Sequence, residues 1–84
     1  MGYFMKYKDA VVLRFVELCN ERGISFTEMA RLAGVTPSTV YSMLKKERRK
    51  VDGGTIKKLC DGLEIDMVEF HDCTIFKDLP PEIE

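Results

Sequence analysis

The sequence predicts a compact all-α domain built of five helices. Three observations support this class. Apolar residues recur every three or four positions, capping residues and glycines follow one another at short intervals, and no segment alternates like a strand. The chain has 84 residues, of which 45% are hydrophobic and 32% charged, enough for one core of modest depth. We expect neither a catalytic cleft between two lobes nor a separate sensor domain.

Local start and stop signals bound each helix. The predicted ranges are 9–22, 26–33, 37–45, 53–63 and a short fifth helix that runs from Asp66 to Phe70 or His71. A side-chain oxygen can cap a helix start by accepting a backbone N–H, and the candidates are Asp9, Ser25, Thr36, Asp52 and Asp66. Ser25 and Glu28 also have the spacing of a capping box. Gly23 and Gly34 follow helices as stops, because glycine tolerates the left-handed conformation there.

The two ends of the chain are expected to lie outside the helical domain, which spans residues 9–71. Residues 1–8 are predicted to form an N-terminal arm and residues 72–84 a partly extended tail, since Pro80-Pro81 cannot continue a helix. The chain has no run of about 18 apolar residues, and the apolar segment at its start, residues 1–5 (MGYFM), is too short for the apolar region of a signal peptide. We therefore expect a soluble, cytoplasmic protein without membrane contact.

The charges are separated along the chain. Residues 1–50 carry ten Lys or Arg against five Asp or Glu, a net +5, and residues 51–84 carry three against nine, a net −6. The densest cationic stretch, residues 45–50, contains Lys45, Lys46, Arg48, Arg49 and Lys50. This basic loop is either a patch that binds anions such as nucleic-acid phosphates or a solvated loop that keeps the surface polar.

Metal binding and catalysis are disfavoured by the residues available. Cys60, His71 and Cys73 lack the spacing of a zinc site, and Cys60 falls on the apolar stripe of the fourth helix. His71 and Cys73 are too close in sequence to face each other as base and nucleophile, and no Gly-rich loop accompanies them. We therefore expect reduced cysteines, no metal, no cofactor, no small-molecule substrate and no enzymatic activity.

The most informative unit is the pair of capped helices at residues 25–45. The linking residues Ala33-Gly34-Val35-Thr36 have the length and the glycine of a helix-turn-helix corner. Gly34 can take the positive φ of a sharp corner, and Val35 can plug the corner from within. The third helix would then protrude as a ridge of the width that a DNA major groove accepts.

Residues 23–41 resemble the Cro/C1-type helix-turn-helix, also called the Xre family, through the motif GISxxEMAxxAGVTPSTVY. Residues 55–63 (TIKKLCDGL) and 66–70 (DMVEF) are similar to the family's fourth and fifth helices. Residues 75–79 (IFKDL) look like the tail of short single-domain bacterial members. The resemblance covers about residues 9–71, and it implies a five-helix, lambda-repressor-like DNA-binding domain, usually dimeric, that binds a palindromic operator.

The resemblance also implies a set of site residues. The base-reading positions of the third helix fall on Pro37, Ser38, Thr39, Tyr41 and Ser42. Phosphate contacts are expected from Ser25, Thr27, Lys45, Lys46, Arg48, Arg49 and Lys50. Phe26 replaces a Gln with which many members reach DNA. Alternatively, Ser38 and Thr39 serve only the helix start, where hydroxyls are common.

Two functional hypotheses follow. The first is a homodimeric, sequence-specific regulator of transcription, a repressor, that binds double-stranded DNA. Apolar groups left over at Ile65, Phe70, Ile75, Phe76 and Leu79 predict dimerisation through the fifth helix and the tail, unless the last three fold back on their own domain. The second hypothesis is an antitoxin-like protein-interaction module on the same fold, with weak DNA binding.

Overall fold

The computed structural model of the protein describes residues 6–45, 50–77 and 79. These residues form six α-helices and no strand: α1 Tyr7–Arg22, α2 Phe26–Ala33, α3 Pro37–Leu44, α4 Gly53–Gly62, α5 Met67–His71 and α6 Thr74–Lys77. The predicted all-α class is confirmed, with one helix more than expected. No helix in the described part of the chain has the length and apolar character needed to cross a membrane.

The core is entirely apolar among the described residues. The largest side chains without exposed surface include Phe15, Met29, Met43, Leu59 and Phe70, which come from five different helices. The rings of Phe15 and Phe70 meet with their centroids 4.7 Å apart. No polar or charged residue of the described ranges is buried with them. Removal of apolar surface from water is therefore the main source of stability.

Three helices end with the same backbone hydrogen bond. The N–H of a residue two positions past the helix, or three past it for α4, donates to the carbonyl five residues earlier, each at 3.0 Å, in the pairs Ile24–Cys19, Val35–Ala30 and Ile65–Cys60. The residue directly before this donor has a positive φ: Gly23 at 64°, Gly34 at 72° and Glu64 at 62°. The predicted stops at Gly23 and Gly34 are confirmed. Glu64 adopts this conformation without being glycine, at a cost of about 1–2 kcal/mol.

α4 crosses the end of α2 at Gly62. A Cβ on Gly62 would lie 2.7 Å from the Cα and N of Ala33 and 2.9 Å from the carbonyl carbon of Leu32. These are backbone atoms, so they cannot rotate away as the end of a side chain would. The absence of a side chain at residue 62 therefore sets how closely α4 approaches the helix-turn-helix.

α1 begins earlier than the sequence indicated. It starts at Tyr7 with Lys6 as N-cap, so the expectation that Asp9 caps it is wrong. The Tyr7 hydroxyl lies 2.7 Å from Nε2 of His71, and its ring stacks on the imidazole with centroids 5.8 Å apart. These contacts extend the helix, since tertiary packing overrides a local cap signal.

The tail is helical rather than extended over residues 74–77, and this corrects the prediction. The ring of Phe76 in α6 lies 5.6 Å from that of Phe70 and 4.8 Å from that of His71, between ring centroids. α6 packs against α1. Pro80 and Pro81, on which the prediction of an extended tail rested, lie outside the described residues.

Gly62→Ala tests the crossing of α2 and α4. The added methyl group would meet backbone atoms, so we expect the free energy of unfolding to fall by about 2 kcal/mol. Gly53→Ala is the matched control in the same helix, because a Cβ there meets nothing within 4 Å. That variant should leave stability unchanged or raise it by about 0.5 kcal/mol. Equal stability of the two variants in urea denaturation would contradict the close approach.

Candidate nucleic-acid interface

Capping hydroxyls hold the starts of α2 and α3. Ser25 Oγ accepts the N–H of Glu28 at 3.1 Å, and Thr36 Oγ1 accepts the N–H of Thr39 at 3.3 Å. Both predicted N-caps are confirmed. The Glu28 carboxylate accepts from Nε of Arg31 at 3.0 Å, and this guanidinium lowers the pKa of Glu28. The Glu28 carboxylate therefore pairs with Arg31 on the next turn of α2 instead of accepting the backbone N–H of Ser25.

α3 has an inner and an outer face. Val40 and Met43 have no exposed surface, as their spacing predicted. Pro37, Ser38 and Tyr41 are exposed, so three of the five predicted base-reading residues lie on the surface. The other two, Thr39 and Ser42, are half-buried. The helical spacing puts Ser42 away from the inward positions Val40 and Met43 and predicts an exposed side chain; the structure corrects this, since Ser42 is half-buried.

The hydroxyls at the start of α3 form a cluster. Thr36 Oγ1 lies 3.2 Å from Ser38 Oγ and 3.0 Å from Thr39 Oγ1. Ser38 and Thr39, two of the predicted base-reading residues, thus take part in the helix start, which supports the alternative proposed for them from sequence. Ser38 remains exposed and can still present its hydroxyl to a ligand, because one oxygen carries a donor and two acceptor sites.

A second contact joins the outer surfaces of the two helices. Thr27 Oγ1 in α2 lies 3.3 Å from the phenol oxygen of Tyr41 in α3, and both residues are exposed. The fold thus brings one predicted phosphate contact beside one predicted base contact. The pairing was missed from sequence, since fourteen positions separate the residues and no local pattern relates them. Phe26, at the start of α2, packs against the core.

The basic loop begins and ends beside α3. Lys45 directly follows α3, and the N–H of Lys50 donates to the carbonyl of Ser42 at 3.4 Å. Both lysines are exposed. The remaining predicted phosphate contacts of this loop, Lys46, Arg48 and Arg49, lie outside the described residues. The two described ends place cationic groups next to the C-terminal end of α3.

α4 begins with the predicted cap. Asp52 Oδ1 accepts the N–H of Thr55 at 2.8 Å, and Oδ2 accepts the hydroxyl of Thr55 at 3.1 Å. These hydrogen bonds favour the carboxylate and lower the pKa of Asp52. The same arrangement recurs at α5, where Asp66 Oδ1 accepts the N–H of Glu69 at 2.6 Å. Both acidic caps were expected from the sequence and are confirmed.

His71 and Cys73 have hydrogen-bonding partners within the fold, and Cys60 is buried. Burial raises the pKa of Cys60 to about 11, so its thiol stays protonated at neutral pH. His71 lies between the Tyr7 hydroxyl and the carbonyl of Met67, at 2.8 Å from the latter. Cys73 Sγ lies 3.6 Å from a carboxylate oxygen of Glu17. No group of three or more potential metal ligands occurs among the described residues.

The residues predicted for a dimer interface divide into two groups. Ile65 is 7% exposed and Phe70 is fully buried, so the premise that these two are left over from the core is wrong. The ring of Phe76 in α6 packs against Phe70, and Ile65 belongs to the core cluster. Ile75, Phe76 and Leu79 are half-buried. Sequence reasoning passed over Val68, which is 80% exposed on α5.

Together these features define the class. A small helical domain carries two capped helices joined by a tight glycine corner, and the second helix turns a polar face outward. The sequence profile of the Cro/C1-type HTH DNA-binding domain matches residues 14–74, and the chain belongs to this family. Membership supports DNA binding and a part in the regulation of transcription. No curated protein and no solved structure matches the chain significantly.

The Asp52 cap makes the start of α4 sensitive to pH. Because the folded-state pKa of Asp52 is lowered, the stabilisation is complete above the unfolded-state pKa and is lost as pH falls through the folded-state pKa. Asp52→Asn keeps a capping oxygen that does not titrate. We expect the thermal midpoint of the wild type to drop relative to that of Asp52→Asn between about pH 5 and pH 2. A constant difference over this range would contradict the cap.

Proposed function

We propose that the protein is a cytoplasmic, non-catalytic repressor of transcription that binds double-stranded DNA sequence-specifically, with α3 in the major groove. The observation that carries this proposal is the outer face of α3. It presents polar and aromatic groups while its inner face is locked in the core. Residues on such a face can contact base edges without unfolding, and family membership supports DNA as the ligand.

Bases and phosphates would be read by different residues. The candidates for base contacts remain Pro37, Ser38, Thr39, Tyr41 and Ser42. Short hydroxyls bond either donor or acceptor edges, so discrimination by Ser38 or Ser42 alone is weak, whereas Tyr41 reaches further. The candidates for phosphate contacts remain Ser25, Thr27, Lys45, Lys46, Arg48, Arg49 and Lys50. Ser25 and Thr27 lie at the start of α2, where the helix dipole favours an anion.

A homodimer on a palindromic operator completes the proposal. One eight-residue helix reads only a few base pairs, and a two-fold axis supplies a second half-site about 34 Å away. Exposed Val68 on α5 and half-buried Ile75 and Leu79 further along the chain are apolar groups at the C-terminal end of the domain that can contribute contacts to this interface. Exposed Glu64 and Glu69 make the same end acidic, which suits it to a partner protein better than to phosphates.

The basic loop should supply affinity that does not depend on sequence. Replacing Arg48, Arg49 and Lys50 with Ala should weaken binding to specific and random duplexes alike. Each lost phosphate contact should flatten the plot of log K against log salt by about 0.9. Lys77→Ala is the matched control. Lys77 lies in α6, where its Nζ pairs with Asp72 Oδ1 at 3.3 Å, so its loss should leave the slope unchanged.

The same titrations separate the two functional hypotheses. Duplex binding that weakens steeply as salt rises supports the repressor. Unchanged affinity of the triple variant would remove the phosphate role of the basic loop. A chain that binds no duplex, yet associates with a protein partner in a salt-insensitive way, would favour the interaction module instead.

Val68→Lys tests the dimer surface. Val68 is 80% exposed, so a lysine there should fold normally but place a desolvated charge in the interface. We expect the wild type to sediment as a dimer at tens of micromolar and the variant as a folded monomer. Leu13→Lys, at a position 42% exposed on α1, is the control and should remain dimeric. A monomeric wild type with non-cooperative DNA binding would contradict the dimer.

A further inference from the structure

The hydrogen bond between Thr27 and Tyr41 couples the start of α2 to the outer face of α3. The two oxygens lie 3.3 Å apart, and either can be the donor. Tyr41 is 46% exposed, so the bond forms at the surface and adds little to stability. Its effect is on orientation and proton position, because it fixes the end of a long side chain that would otherwise rotate freely.

The number of protons in this pair is limited. A threonine hydroxyl and a tyrosine hydroxyl each carry one proton, and each oxygen can also accept. A phosphate oxygen at neutral pH accepts hydrogen bonds and donates none. If the Thr27 hydroxyl donates its hydrogen bond to a phosphate, the hydrogen bond between the two side chains must be donated by the Tyr41 hydroxyl to the Thr27 oxygen. The phenol oxygen of Tyr41 is then left as an acceptor.

We propose that a phosphate bound by Thr27 sets Tyr41 to read an amino group on a base. In the major groove the exocyclic amino groups are N6 of adenine and N4 of cytosine, whereas guanine O6 and thymine O4 accept. Tyr41 would therefore favour adenine or cytosine on the strand it faces. This inference rests on the proposed function, and it gives Thr27 a positioning role beyond the phosphate contact itself.

The arrangement of the two helices suits this coupling. Thr27 lies in the first turn of α2, where DNA-bound domains of this architecture meet the phosphate backbone, and Tyr41 lies midway along α3, which would enter the groove. One hydrogen bond spans the distance between a backbone contact and a base contact. The phosphate contact of Thr27, which does not depend on base sequence, thereby sets the direction in which the Tyr41 hydroxyl donates.

The experiment measures base preference in the intact protein. A duplex site is first selected from a random pool, and each of its base pairs is then changed in turn. Tyr41→Phe identifies the base pair that Tyr41 reads, because the base preference of this variant should differ from that of the wild type at that base pair alone. At that position the wild type should favour adenine or cytosine over guanine or thymine by roughly fivefold, the effect of one net hydrogen bond.

Thr27→Val removes the hydroxyl while keeping the shape of the side chain, and Thr27→Ser restores it. We expect Thr27→Val to weaken binding to all duplexes and to reduce the preference for adenine or cytosine to less than about twofold. Thr27→Ser should restore this preference. Thr74→Val is the control: it removes an exposed hydroxyl from α6, away from the proposed base and phosphate contacts, and should leave the preference read by Tyr41 intact. Circular dichroism melts check that each variant is folded.

Distinct outcomes would overturn distinct claims. A preference for guanine or thymine at the Tyr41 position, or an amino preference that survives in Thr27→Val, would overturn the coupling. Uniformly weaker binding of Thr27→Val with unchanged preference would leave Thr27 as a simple phosphate contact, which also overturns it. A wild type that binds no duplex would overturn the proposed function, and the coupling with it.

Discussion

The approach of α4 to the end of α2 at Gly62 is the contact on which the position of the helix-turn-helix depends. Backbone atoms of Ala33 lie 2.7 Å from the point where a side chain on residue 62 would begin. α2 continues through Gly34 into α3, so this spacing also sets where α3 stands relative to the core. Packed interiors transmit such displacements, because they contain little free volume to absorb them.

α3 depends on the rest of the domain for its existence as a helix. Eight residues are too few for a stable isolated helix in water. Its inner residues Val40 and Met43 supply buried apolar surface, and Thr36 caps its first turn. The outer residues are left out of this packing, so their chemistry can serve recognition at little cost to stability.

The C-terminal part of the domain is held by contacts to α1. Nε of Arg14 donates to the carbonyl of Phe70 at 2.8 Å, and Nη2 donates to that of Glu69 at 3.1 Å, which satisfies the end of α5. The ring of Tyr7 in α1 stacks on His71, and the ring of Phe76 in α6 packs against His71 at a tilt. These contacts bury Phe70 completely and leave Val68 as the exposed apolar residue of α5. The surface proposed for dimerisation is thus a product of how the tail folds back.

The sequence alone determined the all-α class, the glycine corner at Gly34, and the caps Ser25, Thr36, Asp52 and Asp66, because these features depend on neighbours within a few residues. It also predicted the outer face of α3 and the family. Only the tertiary structure decided the early start of α1, the sixth helix, the role of Gly62 and the pairing of Thr27 with Tyr41. Each of these depends on a partner brought close by packing, and spacing along the chain carries no signal of such a partner.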